Sequence, residues 1–313
     1  MKKFAFVFPG QGSQSVGMLD AWGDHPAVRA TLQEASDALG EDVARLVHEG
    51  PKEALALTTN TQPVMLVAGV AAYRAWRAEG GAEPEIVAGH SLGEYSALVA
   101  AGVLTLAQAA PLVRFRAQAM QDAVPVGAGA MAAILGLDAQ AVIDGCAEAE
   151  RAAPGEIAEA VNFNDKAQTV IAGTKAGVEQ ACALLKARGA KRALPLPVSA
   201  PFHSSLMKPA AEKLREKLAT VELAAPRIPV INNIDVMVES DPARIRDALY
   251  RQAFGPVRWV ECVQAIQARG VTHVVECGPG KVLAGLHKRI DASIVSGMVF
   301  DPATLSETMA ALA

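Results

Sequence analysis

The chain has 313 residues, of which 51% are apolar, 20% charged and 4% aromatic. That length allows one large domain or two unequal ones, and the composition excludes a disordered or solvating chain. So few aromatics argue against platforms for stacking single strands, and 29 Lys and Arg against 33 Asp and Glu, a formal charge of −4, argue against nucleic-acid binding by phosphate neutralisation.

In chain order, the apolar run 4–8 is closed by Pro9-Gly10 and reads as a buried parallel strand. Further strands are expected at 86–88, 230–232 and 271–277, with amphipathic stretches such as 54–57, 64–76 and 210–218 between them. Strand and helix in alternation imply a parallel sheet covered on both faces. The middle of the chain reads differently. Strands at 130–136, 157–163, 169–172 and 190–196 and helices at 140–150 and 177–188 give the order βαββαβ, the ferredoxin-like pattern, with a turn at Asn164-Asp165. The fold class is therefore α/β, with a large parallel-sheet domain, 1–126 and 199–313, carrying an inserted ferredoxin-like subdomain at 127–198.

The four cysteines, Cys146, Cys182, Cys262 and Cys277, form no C-x-x-C pair and lack a nearby His at metal-ligand spacing. They read as thiols in a reducing cytosol, with no metal site. The run 4–8 is too short for a signal peptide. The uncharged stretch 95–113 is interrupted by Gly102, Thr105, Gln108 and Pro111, so it reads as two core helices rather than a membrane span. The expectation is a cytoplasmic monomer with no membrane or nucleic-acid partner.

Chemistry concentrates first in Gly89-His90-Ser91-Leu92-Gly93, a G-x-S-x-G motif that follows a strand and opens a helix over 92–101. In such a nucleophile elbow the glycines clear a tight turn, the serine hydroxyl stands above the sheet, and the next amide, that of Leu92, faces a developing oxyanion. The loop Pro9-Gly10-Gln11-Gly12-Ser13-Gln14 lacks a nucleotide-binding signature. It is either an ordinary turn or the source of a second oxyanion donor, the Gln11 amide. Serine needs a base. His25, His48 and His287 have polar neighbours and are expected at the surface, His273 in the core, and His90 pointing away along the turn. His203 lies in a small-residue loop at the domain junction and is the candidate base. In the helix over 106–121, Arg116 shares a face with Ala109, Val113, Ala117 and Met120, while Arg114 lies on the polar face. A buried guanidinium suits a carboxylate, or else a structural ion pair. Pro111 is expected to kink or start that helix.

Three stretches, Phe6-Val7-Phe8-Pro9-Gly10-Gln11-Gly12-Ser13-Gln14, Gly89-His90-Ser91-Leu92-Gly93-Glu94-Tyr95 and Pro201-Phe202-His203, resemble the malonyl-CoA:acyl-carrier-protein transacylases of bacterial fatty-acid synthesis. Further similar stretches, among them Val161-Asn162-Phe163-Asn164 and Gly278-Pro279-Gly280-Lys281-Val282-Leu283, recur in order along nearly the whole chain. The resemblance implies an acyltransferase that moves malonyl from malonyl-CoA to acyl carrier protein by a ping-pong route through Ser91, with no cofactor. It implies His203 as general base, Gln11 and Leu92 as oxyanion donors and Arg116 as the grip on the malonyl carboxylate. It also implies that the main-chain carbonyl of Gln252 orients His203 in place of a triad Asp. The rivals are a thioesterase or lipase, which would want that Asp, a malonyl-transferring subunit of a malonate decarboxylase, and a scaffold without catalysis.

Overall fold

The computed structural model describes residues 2–198 and 200–313. Among the described residues there are nine strands, β1 (Phe4–Phe8), β2 (Ile86–Gly89), β3 (Gly129–Leu135), β4 (Ala158–Asp165), β5 (Gln168–Thr174), β6 (Arg192–Pro195), β7 (Val230–Ile231), β8 (His273–Cys277) and β9 (Val295–Val299). They form a five-stranded parallel sheet, β7-β2-β1-β8-β9, and a four-stranded antiparallel sheet, β4-β5-β3-β6.

β1 is the centre of the larger sheet. Phe4, Phe6 and Phe8 join one core, where Phe6 meets Trp76 of the helix Thr58–Ala78 edge to face at 5.3 Å, and Ala5 and Val7 join a second core with Ile86, Val263 and Val274. Burial on both faces explains why the strand is an unbroken apolar run. The smaller sheet is covered twice as well. Ala132, Ile134 and Ile171 pack under the helices Ala139–Ala152 and Lys175–Ala187, while Met131, Ala133, Val161 and Val170 turn into the main core. The smaller sheet is thereby pressed onto the larger layer, and β4 is also tied by backbone. The Phe163 N–H donates to the Val257 carbonyl at 3.0 Å and the Val257 N–H to the Val161 carbonyl at 2.8 Å.

Several sequence expectations shift. The β4–β5 turn is at Lys166-Ala167, because Asp165 pairs with Gln168 and its carboxylate accepts the Ala167 N–H at 2.8 Å. The helix Leu106–Gln121 passes through Pro111 and starts from a Thr105–Gln108 capping box. Edge strand β9, with Ser296 and Gly297 in it, carries too weak an apolar pattern to be read from sequence. His287 is fully buried and stacked on Trp259, and burial lowers its pKa to about 3. The polar residues beside it lie on the other face of the helix Val282–Ile290, so neighbours in sequence misreport its surroundings. His273 is the first residue of β8 and only half-buried, its Nδ1 beside the Thr272 hydroxyl at 2.8 Å. Among the described residues, no helix is long and apolar enough to cross a membrane.

Glu276 on β8 is fully buried. Its Oε2 accepts the Ala284 N–H at 2.8 Å, in the first turn of the helix Val282–Ile290, and its Oε1 has no partner among the described residues. Burial raises its pKa from 4.5 to about 7. A carboxyl whose pKa is raised by folding stabilises the fold below its unfolded value, and that contribution is lost as pH climbs through the folded one. Stability should therefore fall between these two values, by about 3 kcal/mol once the group is fully ionised. Glu276→Gln should flatten this part of the profile, as read by urea unfolding across that range. An unchanged slope would assign the pH dependence to another group.

Candidate active site

Ser91 occupies the turn between β2 and the helix Gly93–Ala100, with φ of +51°. The glycines on either side are required by close approach. A Cβ on Gly89 would lie 1.8 Å from the Gly93 carbonyl carbon, and one on Gly93 would lie 2.0 Å from the Phe8 carbonyl oxygen. With these contacts the turn closes against β1, and the serine adopts a left-handed conformation uncommon for a residue with a side chain. Asn233 holds both ends of the turn. Its Oδ1 accepts the Ser91 N–H and its Nδ2 donates to the Gly89 carbonyl, each at 2.7 Å.

His203, also left-handed at φ of +66°, comes from the loop that returns from the smaller sheet. The Ser91 hydroxyl donates to His203 Nε2 at 2.7 Å, and His203 Nδ1–H donates to the Gln252 carbonyl at 2.8 Å. The second bond selects the tautomer whose Nε2 lone pair faces the serine. Burial first, and then the Arg116 charge, lower the His203 pKa to about 3, so the ring is neutral and free to accept a proton.

Arg116 is 2% exposed. Its Nη1 donates to Gln62 Oε1 at 2.6 Å, and its Nη2 to Gln252 Oε1 at 3.0 Å and to Ser91 Oγ at 3.2 Å. The guanidinium also lies over the Tyr95 ring, 5.5 Å from its centroid. Every acceptor it meets is neutral, so a carboxylate arriving beside Ser91 would be its first anionic partner. Arg114, two residues earlier, instead forms two 2.7 Å bonds with Glu41.

Gln11, Gln62, His90, Leu92, Phe202 and Asn162 line the same pocket as Ser91, Arg116 and His203. Among the described residues, neither the Leu92 nor the Gln11 backbone N–H has an acceptor in the surrounding turns, so both are available to an oxyanion. His90 lines this pocket, but its ring is turned from Ser91 and packs edge to face against Trp259 at 5.4 Å. Its Nε2 bonds Asn164 Oδ1 on β4 at 2.8 Å, which fastens the elbow to the smaller sheet.

Gln62, Glu94 and Asn233 were not singled out from sequence. Glu94 is 2% exposed, and its Oε2 accepts the Asn233 N–H and Gln252 Nε2, each at 2.9 Å. Its place in the first helical turn after the serine was a signal, whereas Gln62 and Asn233 reach the site from distant parts of the chain with no local motif.

The acyl transferase domain model matches residues 5–297. Malonyl CoA-acyl carrier protein transacylase of Salmonella typhimurium is 53% identical over 310 residues, covering 99% of each chain. The crystal structure of an acyl-carrier-protein S-malonyltransferase from Burkholderia pseudomallei superimposes with a TM-score of 0.96 at 68% identity, covering 98% of this chain and 99% of that one. A malonyl-transacylase solved with a holo type II PKS acyl-carrier protein gives 0.97 at 50% identity, covering 99% of this chain and 100% of that one. With the fold, the coverage and the identity all in agreement, the chain belongs to the malonyl CoA-acyl carrier protein transacylase family of acyltransferases.

Proposed function

We propose that the protein transfers malonyl from malonyl-CoA to the phosphopantetheine thiol of acyl carrier protein through a malonyl ester on Ser91. The observation that carries this reading is the Arg116 guanidinium, buried, held by neutral groups only and 3.2 Å from Ser91 Oγ. A plain thioesterase has no use for such a group. The relatives' names, and the complex of a neighbouring transacylase with a carrier protein, support the two substrates.

In the first half-reaction Ser91 Oγ attacks the thioester carbonyl while its proton passes to His203 Nε2. The Leu92 and Gln11 amides receive the oxyanion, and Arg116 holds the distal carboxylate. Collapse breaks the C–S bond, and His203 returns its proton to the CoA sulfur. In the second half the carrier's thiol gives its proton to His203 and attacks the ester carbon, and Ser91 leaves with that proton. The same groups serve both directions, so the transfer is reversible and ping-pong. The Gln252 carbonyl steadies the imidazole without adding the negative charge of a triad Asp, which would oppose a carboxylate substrate.

Incubation with malonyl-CoA alone should give a malonyl adduct by intact mass, mapped to Ser91 after digestion and discharged by a carrier protein. A label elsewhere, or none in a single turnover, would overturn the mechanism. His203→Ala should slow acylation by about 10²- to 10⁴-fold in stopped-flow or quench measurements. If it retains near-full activity, another base operates, with His90 next to test. Arg116→Ala should lose malonyl transfer steeply, by up to about 10⁴-fold, while acetyl transfer holds or rises. Arg116→Lys should recover only part, because a point charge cannot reproduce the fork. Arg114→Ala, which removes an exposed ion pair, should change kcat/KM little for either acyl-CoA. Equal losses for both substrates in Arg116→Ala would make the arginine structural.

A further inference from the structure

Arg116 presents an electrostatic problem that its own hydrogen bonds leave unsolved. A buried cation is costly without a counter-charge, yet a carboxylate seated in its fork would occupy the place the substrate needs. Glu94 is buried close by. It does not bond Arg116 but reaches it through one amide, since Gln252 Nε2 donates to Glu94 Oε2 at 2.9 Å and Gln252 Oε1 accepts from Arg116 Nη2 at 3.0 Å.

From this relay we propose that Glu94 is a positioning and specificity residue, which balances the Arg116 charge at one remove and locks the Gln252 amide so that the guanidinium fork stays open for an acyl carboxylate. This rests on the reading of Arg116 as the carboxylate receptor. Three features support it. An ionised carboxylate accepts hydrogen bonds and cannot donate them, so it holds the NH2 side of Gln252 toward itself and the oxygen toward Arg116. The flipped amide would set two donors against each other at the arginine. The same Oε2 accepts the Asn233 N–H at 2.9 Å, and Asn233 clamps the Ser91 turn, so one atom aligns both the nucleophile and the arginine. Glu94 also lies in the first turn of the helix Gly93–Ala100, where the helix dipole favours negative charge. Burial nonetheless raises its pKa to about 7, so its ionised form predominates only above neutrality.

The balance has a consequence for substrate choice. With Glu94 ionised, Arg116 is compensated before substrate arrives, which weakens the pull on a malonyl carboxylate and limits how far the cation depresses the basicity of His203. Removing the charge alone should make the site greedier for an anionic acyl group and poorer with a neutral one.

The test compares Glu94→Gln, Glu94→Asp and the wild type in acylation by malonyl-CoA and acetyl-CoA at about pH 8, where the carboxylate is ionised. Glu94→Gln should raise the malonyl-over-acetyl ratio of kcat/KM by about tenfold, through a lower malonyl KM and a lower acetyl kcat. Glu94→Asp keeps the charge but withdraws from Gln252, so it should lower kcat for both substrates and leave the ratio within about twofold of wild type. A part that is only structural predicts equal losses for both substrates in both variants, and that result would overturn the proposal. So would a Glu94→Asp ratio that moves as far as the Glu94→Gln ratio. Thermal unfolding establishes that each variant is folded. If Glu94→Gln is not, the same ratio is read in the wild type at about pH 6 and pH 8: protonating the carboxyl at the lower pH should raise it, and an unchanged ratio would overturn the proposal. A wild type with no malonyl preference, or an Arg116→Ala variant that keeps it, would instead overturn the reading of Arg116 itself.

Discussion

The site depends on one buried residue, Gln252, which meets four partners at once through its main-chain carbonyl and its side-chain amide. Its main-chain carbonyl accepts from His203 Nδ1, its side-chain oxygen accepts from Arg116, and its side-chain nitrogen donates to the Ser91 carbonyl at 3.0 Å and to Glu94. It is fully buried at the end of the helix Pro242–Gln252. A carbonyl near the end of a helix is spared an intrahelical partner and is free to serve another group. Ser91, His203 and Arg116 are thus referred to one point, and displacement of that helix end would disturb all three together.

The electrostatics of the pocket follow from which groups are charged and which are only polar. His203 is held neutral by burial and by the nearby cation, and its orienting partner is a carbonyl. Arg116 is surrounded by amide and hydroxyl oxygens. Among the described residues, the one buried carboxyl group in the network, that of Glu94, is set back behind Gln252. A pocket built this way keeps a positive charge beside the Ser91 hydroxyl, in surroundings where charges are weakly screened.

Two sheets share the work of enclosing this pocket. The larger one presents the β1 and β2 loops at their carboxyl ends, the usual place for a site in an open parallel sheet. The smaller one contributes Met131 and Asn162 to the lining and the segment after β6 adds Leu196 and Val198, while β4 is held in place through Val257, the His90–Asn164 bond and the Arg289–Asp165 ion pair at 2.5 Å. Because the smaller sheet buries one face against the main core, the wall it adds is fixed by packing as well as by polar contacts.

What the chain determined by itself was local. Unbroken apolar runs ending in glycine mark parallel strands because both faces are buried, and the βαββαβ order of the middle segment leads to an antiparallel sheet with two helices on one face. The G-x-S-x-G turn is legible because its glycines answer to backbone contacts within a few residues, and the inward Arg116 because helical periodicity needs nothing else. Tertiary structure decided the rest. Which histidine meets Ser91, and which of Arg116's possible partners are present, depends on contacts between residues far apart in sequence, such as Gln62, Asn233 and Gln252, and no local pattern encodes them. His287 departs from the sequence expectation for the same reason, since it is buried against Trp259, a contact its sequence neighbours do not encode. A sequence states the chemistry a residue offers, but the cost of burying a charge or a polar atom is settled only by the neighbours that folding brings to it.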